Sequence, residues 1–145
     1  MKLKLLSFTL LLSLSFLVHA EPLQTQYLDN GAELNILKAR VAKNNVLTIV
    51  AQYDNTSGAD FKASYHFKHV YYIDPEENKK YHVLKDENEK YIASPASSGF
   101  LQTAWMKPGA KSIIWFKFPA PASETSTINL IIRGATPFDD LPITR

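Results

Sequence analysis

The chain has no cysteine and only five glycines in 145 residues. The missing cysteine excludes disulfides, a thiol nucleophile, thiolate metal ligation and a lipid anchor on a leading cysteine. With no disulfide staple available, stability has to come from packing, for which a domain of this length has enough surface to bury. A G-x-S-x-G elbow and a glycine-rich phosphate loop are also missing, and with them the common marks of a serine hydrolase or nucleotide site. After Ala20 no stretch holds apolar residues at helical spacing for three turns, which leaves strands as the main element.

An excess of one charge is lacking too. The chain carries 16 Lys+Arg against 14 Asp+Glu, but Lys2 and Lys4 lie in an N-terminal segment unlike the rest, and residues 21–145 hold 14 of each sign. A nucleic-acid binder normally shows a basic excess on one face or stripe, so no nucleic-acid partner is expected. In that first segment Lys2 and Lys4 precede a mostly apolar run over residues 5–17, and Val18-His19-Ala20 suits an A-x-A-like cleavage site before Glu21. The alternative, a membrane anchor, would take about 20 predominantly apolar residues, and this run is shorter. The pattern predicts a signal peptide over residues 1–20, export to a periplasm or beyond, and a mature chain with no membrane span.

Residues 21–145 fit one domain by size, and short alternating segments recur between turn residues about every ten positions. That rhythm marks a sandwich or barrel. Residues 34–41 are apolar with a slip in phase: Leu34 and Ile36 share one face, Leu37, Ala39 and Val41 the other, as at a bulge. Lys43-Asn44-Asn45 reads as a turn. Leu47, Ile49, Ala51 and Tyr53 make the inward face of the next strand. Residues 61–73 alternate as one long strand, Asp74 to Asn78 turns, and Lys80 begins its hairpin partner. Residues 95–99 form a loop of small residues, Pro108-Gly109 a type II turn. Phe116 and Phe118, then Ile128, Leu130 and Ile132, supply the last inward faces. About eight strands result, and two antiparallel sheets packed as a sandwich accommodate them economically.

Lys107-Pro108-Gly109-Ala110-Lys111, followed by a strand ending Trp115-Phe116-Lys117-Phe118-Pro119-Ala120-Pro121, resembles the C-terminal half of small exported bacterial immunoglobulin-like domains of unknown function. Tyr72-Ile73-Asp74-Pro75 with Lys79-Lys80-Tyr81, and residues 137–143, resemble the same group. The likeness covers residues 61–143 and implies an immunoglobulin-like β-sandwich. Some members sit beside OmpA-like cell-wall-binding domains, and no such domain is present in this sequence. Several carry cysteines near the position of residues 91–94; this chain has none, so no thiol role carries over.

Few residues invite chemistry. His66 and His69, three apart on an expected strand, should face opposite sides. If Ile73 pairs with Lys80, Tyr71 faces His82, and His69 becomes the same-face diagonal neighbour of His82. His69 and His82 are therefore the candidate metal pair. The plainer reading is a half-buried His69 hydrogen-bonded to a tyrosine, and spacing fixes no third ligand. Asp86-Glu87-Asn88-Glu89 lacks the order of a calcium loop and reads as a solvated turn. No cofactor is expected.

Trp115 lies opposite the apolar face of its strand, either covered by another strand or partly exposed. Trp105 stands near the loop that carries Ser97 and Ser98. These four residues are the candidate binding residues, because aromatic anchors dominate interface energetics. The leading expectation is a non-enzymatic binding or assembly module of the cell envelope, with another envelope protein as partner. The alternatives are a periplasmic inhibitor or immunity-type protein acting through residues 95–99, and a carrier of a small ligand or metal.

Overall fold

The computed structural model describes residues 21–145; the expected signal peptide lies outside the described residues. Twelve strands follow in order. They are β1 (Gln24–Tyr27), β2 (Glu33–Val41), β3 (Val46–Asp54), β4 (Ser64–His66), β5 (Val70–Asp74) and β6 (Lys79–His82), then β7 (Ala93–Ser94), β8 (Ala96–Ser97), β9 (Phe100–Gln102), β10 (Lys111–Pro119), β11 (Thr127–Ile132) and β12 (Phe138–Pro142). The one helical element among them is a 3-10 turn, Phe67–His69. Among the described residues no helix is long and apolar enough to cross a membrane.

The strands form three antiparallel sheets, ordered β1-β2-β3-β10-β7, β12-β11-β5-β6 and β4-β9-β8. Their inner faces share one hydrophobic core. On β3 the buried set is Leu47, Ile49, Ala51 and Tyr53; on β10 it is Ile114, Phe116 and Phe118; on β11, Ile128, Leu130 and Ile132. Strict alternation in these strands is what period-2 patterning produces when one face is covered. β2 carries the bulge signalled by its phase slip: pairing to β3 shifts between Ile36 and Lys38, which leaves Leu37 out of register. Leu34, Ile36, Ala39 and Val41 all reach the core as a result.

The expected count of about eight strands is corrected to twelve, chiefly because several are short and one expected strand is broken. Residues 61–73 are not continuous. The 3-10 turn Phe67–His69 divides them into β4 and β5, and the buried positions change phase across it, from Ala63, Tyr65 and Phe67 to Val70, Tyr72 and Asp74. The two halves also join different sheets, β4 pairing with β9 and β5 with β11 and β6. Packing drives the break. Phe67 is fully buried, with its ring 6.2 Å from that of Phe116 and 5.0 Å from that of Tyr91.

Candidate functional site

The geometry of β4 follows from which way its backbone points. The Phe67 amide donates to the Gly99 carbonyl at 3.0 Å, and the Thr103 amide to the Ala63 carbonyl at 3.0 Å. In an antiparallel ladder every second residue turns its N–H and C=O to the partner strand. Ala63, Tyr65 and Phe67 therefore face β9 with their backbones, and Ser64 and His66 present theirs on the other side. Among the described residues β9 is the one strand β4 pairs with. β4 is a sheet edge.

Beside that edge run two adjoining hollows of about 190 and 350 Å3, with Ser64, Tyr65 and Arg133 in the walls of both. Leu28, Tyr53 and Phe61 line the first; His66, Lys68 and His69 line the second. Arg133 follows the point where the β5–β11 ladder ends, at Val70 opposite Ile132. The Ala135 amide turns back to the Ile132 carbonyl at 3.2 Å, and Gly134 takes φ +89° in that turn, a conformation glycine adopts without strain. The sheet thus stops and the chain bends away, opening a gap between β4 and the Arg133 turn.

The floor of this cleft is aromatic. The hydroxyls of Tyr53 and Tyr65 meet at 2.9 Å, and both residues are buried. Burial pushes both phenols far above their ordinary range, so each satisfies the other as a neutral group. The Phe61 ring stands edge-on to Tyr53 at 5.6 Å. Cations occupy the walls: Lys62, Lys68 and Arg133, with no aspartate or glutamate among the lining residues. Desolvation lowers the pKa of half-buried His69, and the charges of Arg133, Lys68 and His66 push the same way.

His66 and His69 line the same hollow, which corrects the expectation that they face apart. The reason is the 3-10 turn, where about three residues complete a turn and i and i+3 come to one side. The His66 Nδ1 accepts the Lys68 amide at 3.0 Å, and its ring meets Phe100 at 5.0 Å. The hairpin register does set Ile73 opposite Lys80 and Tyr71 opposite His82, with the Tyr71 and His82 rings 5.8 Å apart. His69, however, lies in the 3-10 turn before β5, so strand alternation does not make it a diagonal neighbour of His82. His82 is exposed on β6 and does not line the cleft.

Trp105 is 69% exposed, yet its backbone is held on both sides. Phe61 and Met106 exchange both amide bonds, at 2.9 and 2.7 Å. With Thr103 bonded to Ala63, this sets Lys62 alone against Ala104 and Trp105, a two-against-one bulge. Buried Asn55 donates from Nδ2 to the Met106 carbonyl at 2.7 Å and to the Ala59 carbonyl at 2.9 Å. Ser97 ends β8, and Ser98-Gly99, with φ +48° and +84°, is the two-residue turn into β9. Residues 95–99 are accordingly strand and hairpin tip. Phe100, 43% exposed, follows them on the ribbon that leads to Trp105. Ser97 and Ser98 therefore sit at the β8–β9 hairpin tip, and Trp105 lies past the other end of β9, on the bulge opposite Lys62. Trp115 does not join them. It is half-buried on the outward side of β10, opposite Val50 and Ser94 and on the same strand face as exposed Ile113.

Lys62, Lys68, Arg133 and Phe100 escaped the sequence reading. The polar alternation of Lys62, Ser64, His66 and Lys68 could have shown an outward face; nothing local ties Arg133 to it. Comparison with known protein families, curated proteins and solved structures gives no match for this chain.

Proposed function

We propose that the chain is an exported, non-enzymatic binding module of the bacterial cell envelope. In this reading its sheets close as a single immunoglobulin-like sandwich, and its partner is another envelope protein. The observation that carries it is Trp105: a large aromatic side chain mostly in solvent, on a bulge whose backbone is fixed by Phe61, Met106 and Asn55. Ordering costs of association are small for such a residue, and tryptophan is among the commonest interface anchors. The buried polar groups are engaged structurally: Asp74 caps the chain at Ala122 and Thr125, and Tyr53 and Tyr65 bond each other.

Placing a photo-reactive phenylalanine analogue at position 105, in the native host, tests this. We expect a discrete adduct with one envelope protein, and none from the same analogue at Lys80 on β6. Adducts from position 80 alone, or equal labelling from both, would remove the Trp105 face as the docking surface.

A further inference from the structure

We propose that the β4 edge receives an extended acidic segment of the partner as an added strand, seated in the cleft between β4 and the Arg133 turn. This rests on the binding reading above and gives the partner a chemistry. Three observations converge on it. Ser64 and His66 offer their backbone N–H and C=O groups on the side away from β9. A cleft lies alongside that edge, and Arg133 shares its wall with Ser64 and Tyr65. Its charged lining residues are Lys62, Lys68 and Arg133, with no carboxylate.

Strand addition draws affinity from main-chain hydrogen bonds and specificity from alternate side chains. The residues along β4 dictate what those side chains should be. Ser64 and His66 share one face of β4, and Lys62 and Lys68 lie just beyond its two ends, so the incoming strand should carry carboxylates toward both ends. Lys62 and Arg133 share the first hollow with Leu28, Tyr53 and Phe61, so apolar residues of the strand fit there between its carboxylates. The predicted occupant alternates acidic and apolar residues over about five positions, a length of about 17 Å.

A second copy of this chain is the wrong occupant. Pairing β4 with β4 would bring Lys62, Lys68 and Arg133 against their own kind, and like charges set opposite destabilise a ladder. Lysine at an edge commonly guards against unwanted pairing. Such guarding repels a basic strand, makes a neutral one bury an unpaired ammonium, and admits an acidic one.

The test uses a labelled peptide of alternating valine and glutamate, its glutamine counterpart, and a version N-methylated at alternate amides to block the ladder. With the folded chain of residues 21–145, we expect the glutamate peptide to bind and to slow hydrogen exchange at the Ser64 and His66 amides. The glutamine and N-methylated peptides should bind about tenfold more weakly. Arg133→Glu should weaken the glutamate peptide by a similar factor, with Lys62→Glu as a second variant should the first fail to fold. Failure of the glutamate peptide to bind, equal binding of the N-methylated form, or protection at β6 in place of β4 would overturn the proposal. So would a dimer whose Ser64 and His66 amides are already protected, or equal displacement by an unstructured polyanion. Adducts at position 105 without peptide binding would sink this inference and leave the binding module standing.

Discussion

Asp74 shows how much one side chain can fix. It is wholly buried, accepting the Glu76 amide at 3.0 Å and the Thr125 hydroxyl at 2.8 Å on Oδ1, and the Ala122 amide at 3.0 Å on Oδ2. Burial alone would raise its pKa. The Ala122 amide, the Thr125 hydroxyl and the Glu76 and Glu77 amides outweigh it and hold the carboxyl below its ordinary value. A carboxylate lowered on folding stabilises above its unfolded pKa, and that contribution disappears as pH falls through the folded value. Asp74→Asn should therefore cost about 1–3 kcal/mol at neutral pH. It should also flatten the loss of stability below about pH 4; denaturant titrations at pH 7 and pH 3 would check both. Phe116 and Trp105 make the opposite pair. Phe116→Ala, at a fully buried site, should cost about 3–5 kcal/mol, whereas Trp105→Ala should stay within about 0.5 kcal/mol. Similar losses at both would mean that Trp105 is structural.

At the scale of elements, the hairpin between β8 and β9 governs the edge strand. Gly99 sits at φ +84°, and its carbonyl holds the Phe67 amide at the end of β4. A Cβ there would have room, its nearest neighbour being His66 Nε2 at 3.5 Å, so the penalty is conformational. Gly99→Ala should cost about 1–2 kcal/mol and speed hydrogen exchange at Phe67 more than at β3 or β10. Uniform acceleration would show that the hairpin has no local hold on β4. The sequence carried the regular strands well: the phase slip at Leu37 announced the β2 bulge, and clean alternation on β3, β10 and β11 named their buried faces. The break at Phe67 was hard to read, because residues 61–68 alternate strictly and His69-Val70-Tyr71-Tyr72-Ile73 fits either phase. The packing of Phe67 against Phe116 and Tyr91, together with the His66 Nδ1 that accepts the Lys68 amide, favours a 3-10 turn there. The same break put His66 and His69 together and opened the cleft.

For the whole molecule, near-neutral charge over residues 21–145 conceals a local asymmetry. Lys62 and Lys68 are joined by Arg133 only because β11 ends beside Val70, more than sixty positions away in the chain. Composition could exclude a broadly basic surface, but no local pattern could place three cations around one edge. Residues 1–20 predict export, and the intact mass of the protein from its native host should correspond to a chain beginning at Glu21; retention of Met1 to Ala20 would contradict it. The claim that function resides in one face is tested most directly by hydrogen exchange on the native complex, stabilised through the position-105 cross-link. We predict slowed exchange over residues 62–69 and 100–106, with β6 and the outward face of β10 unchanged. Protection centred on β6 or on Trp115, with residues 62–69 exchanging as in the free protein, would contradict it.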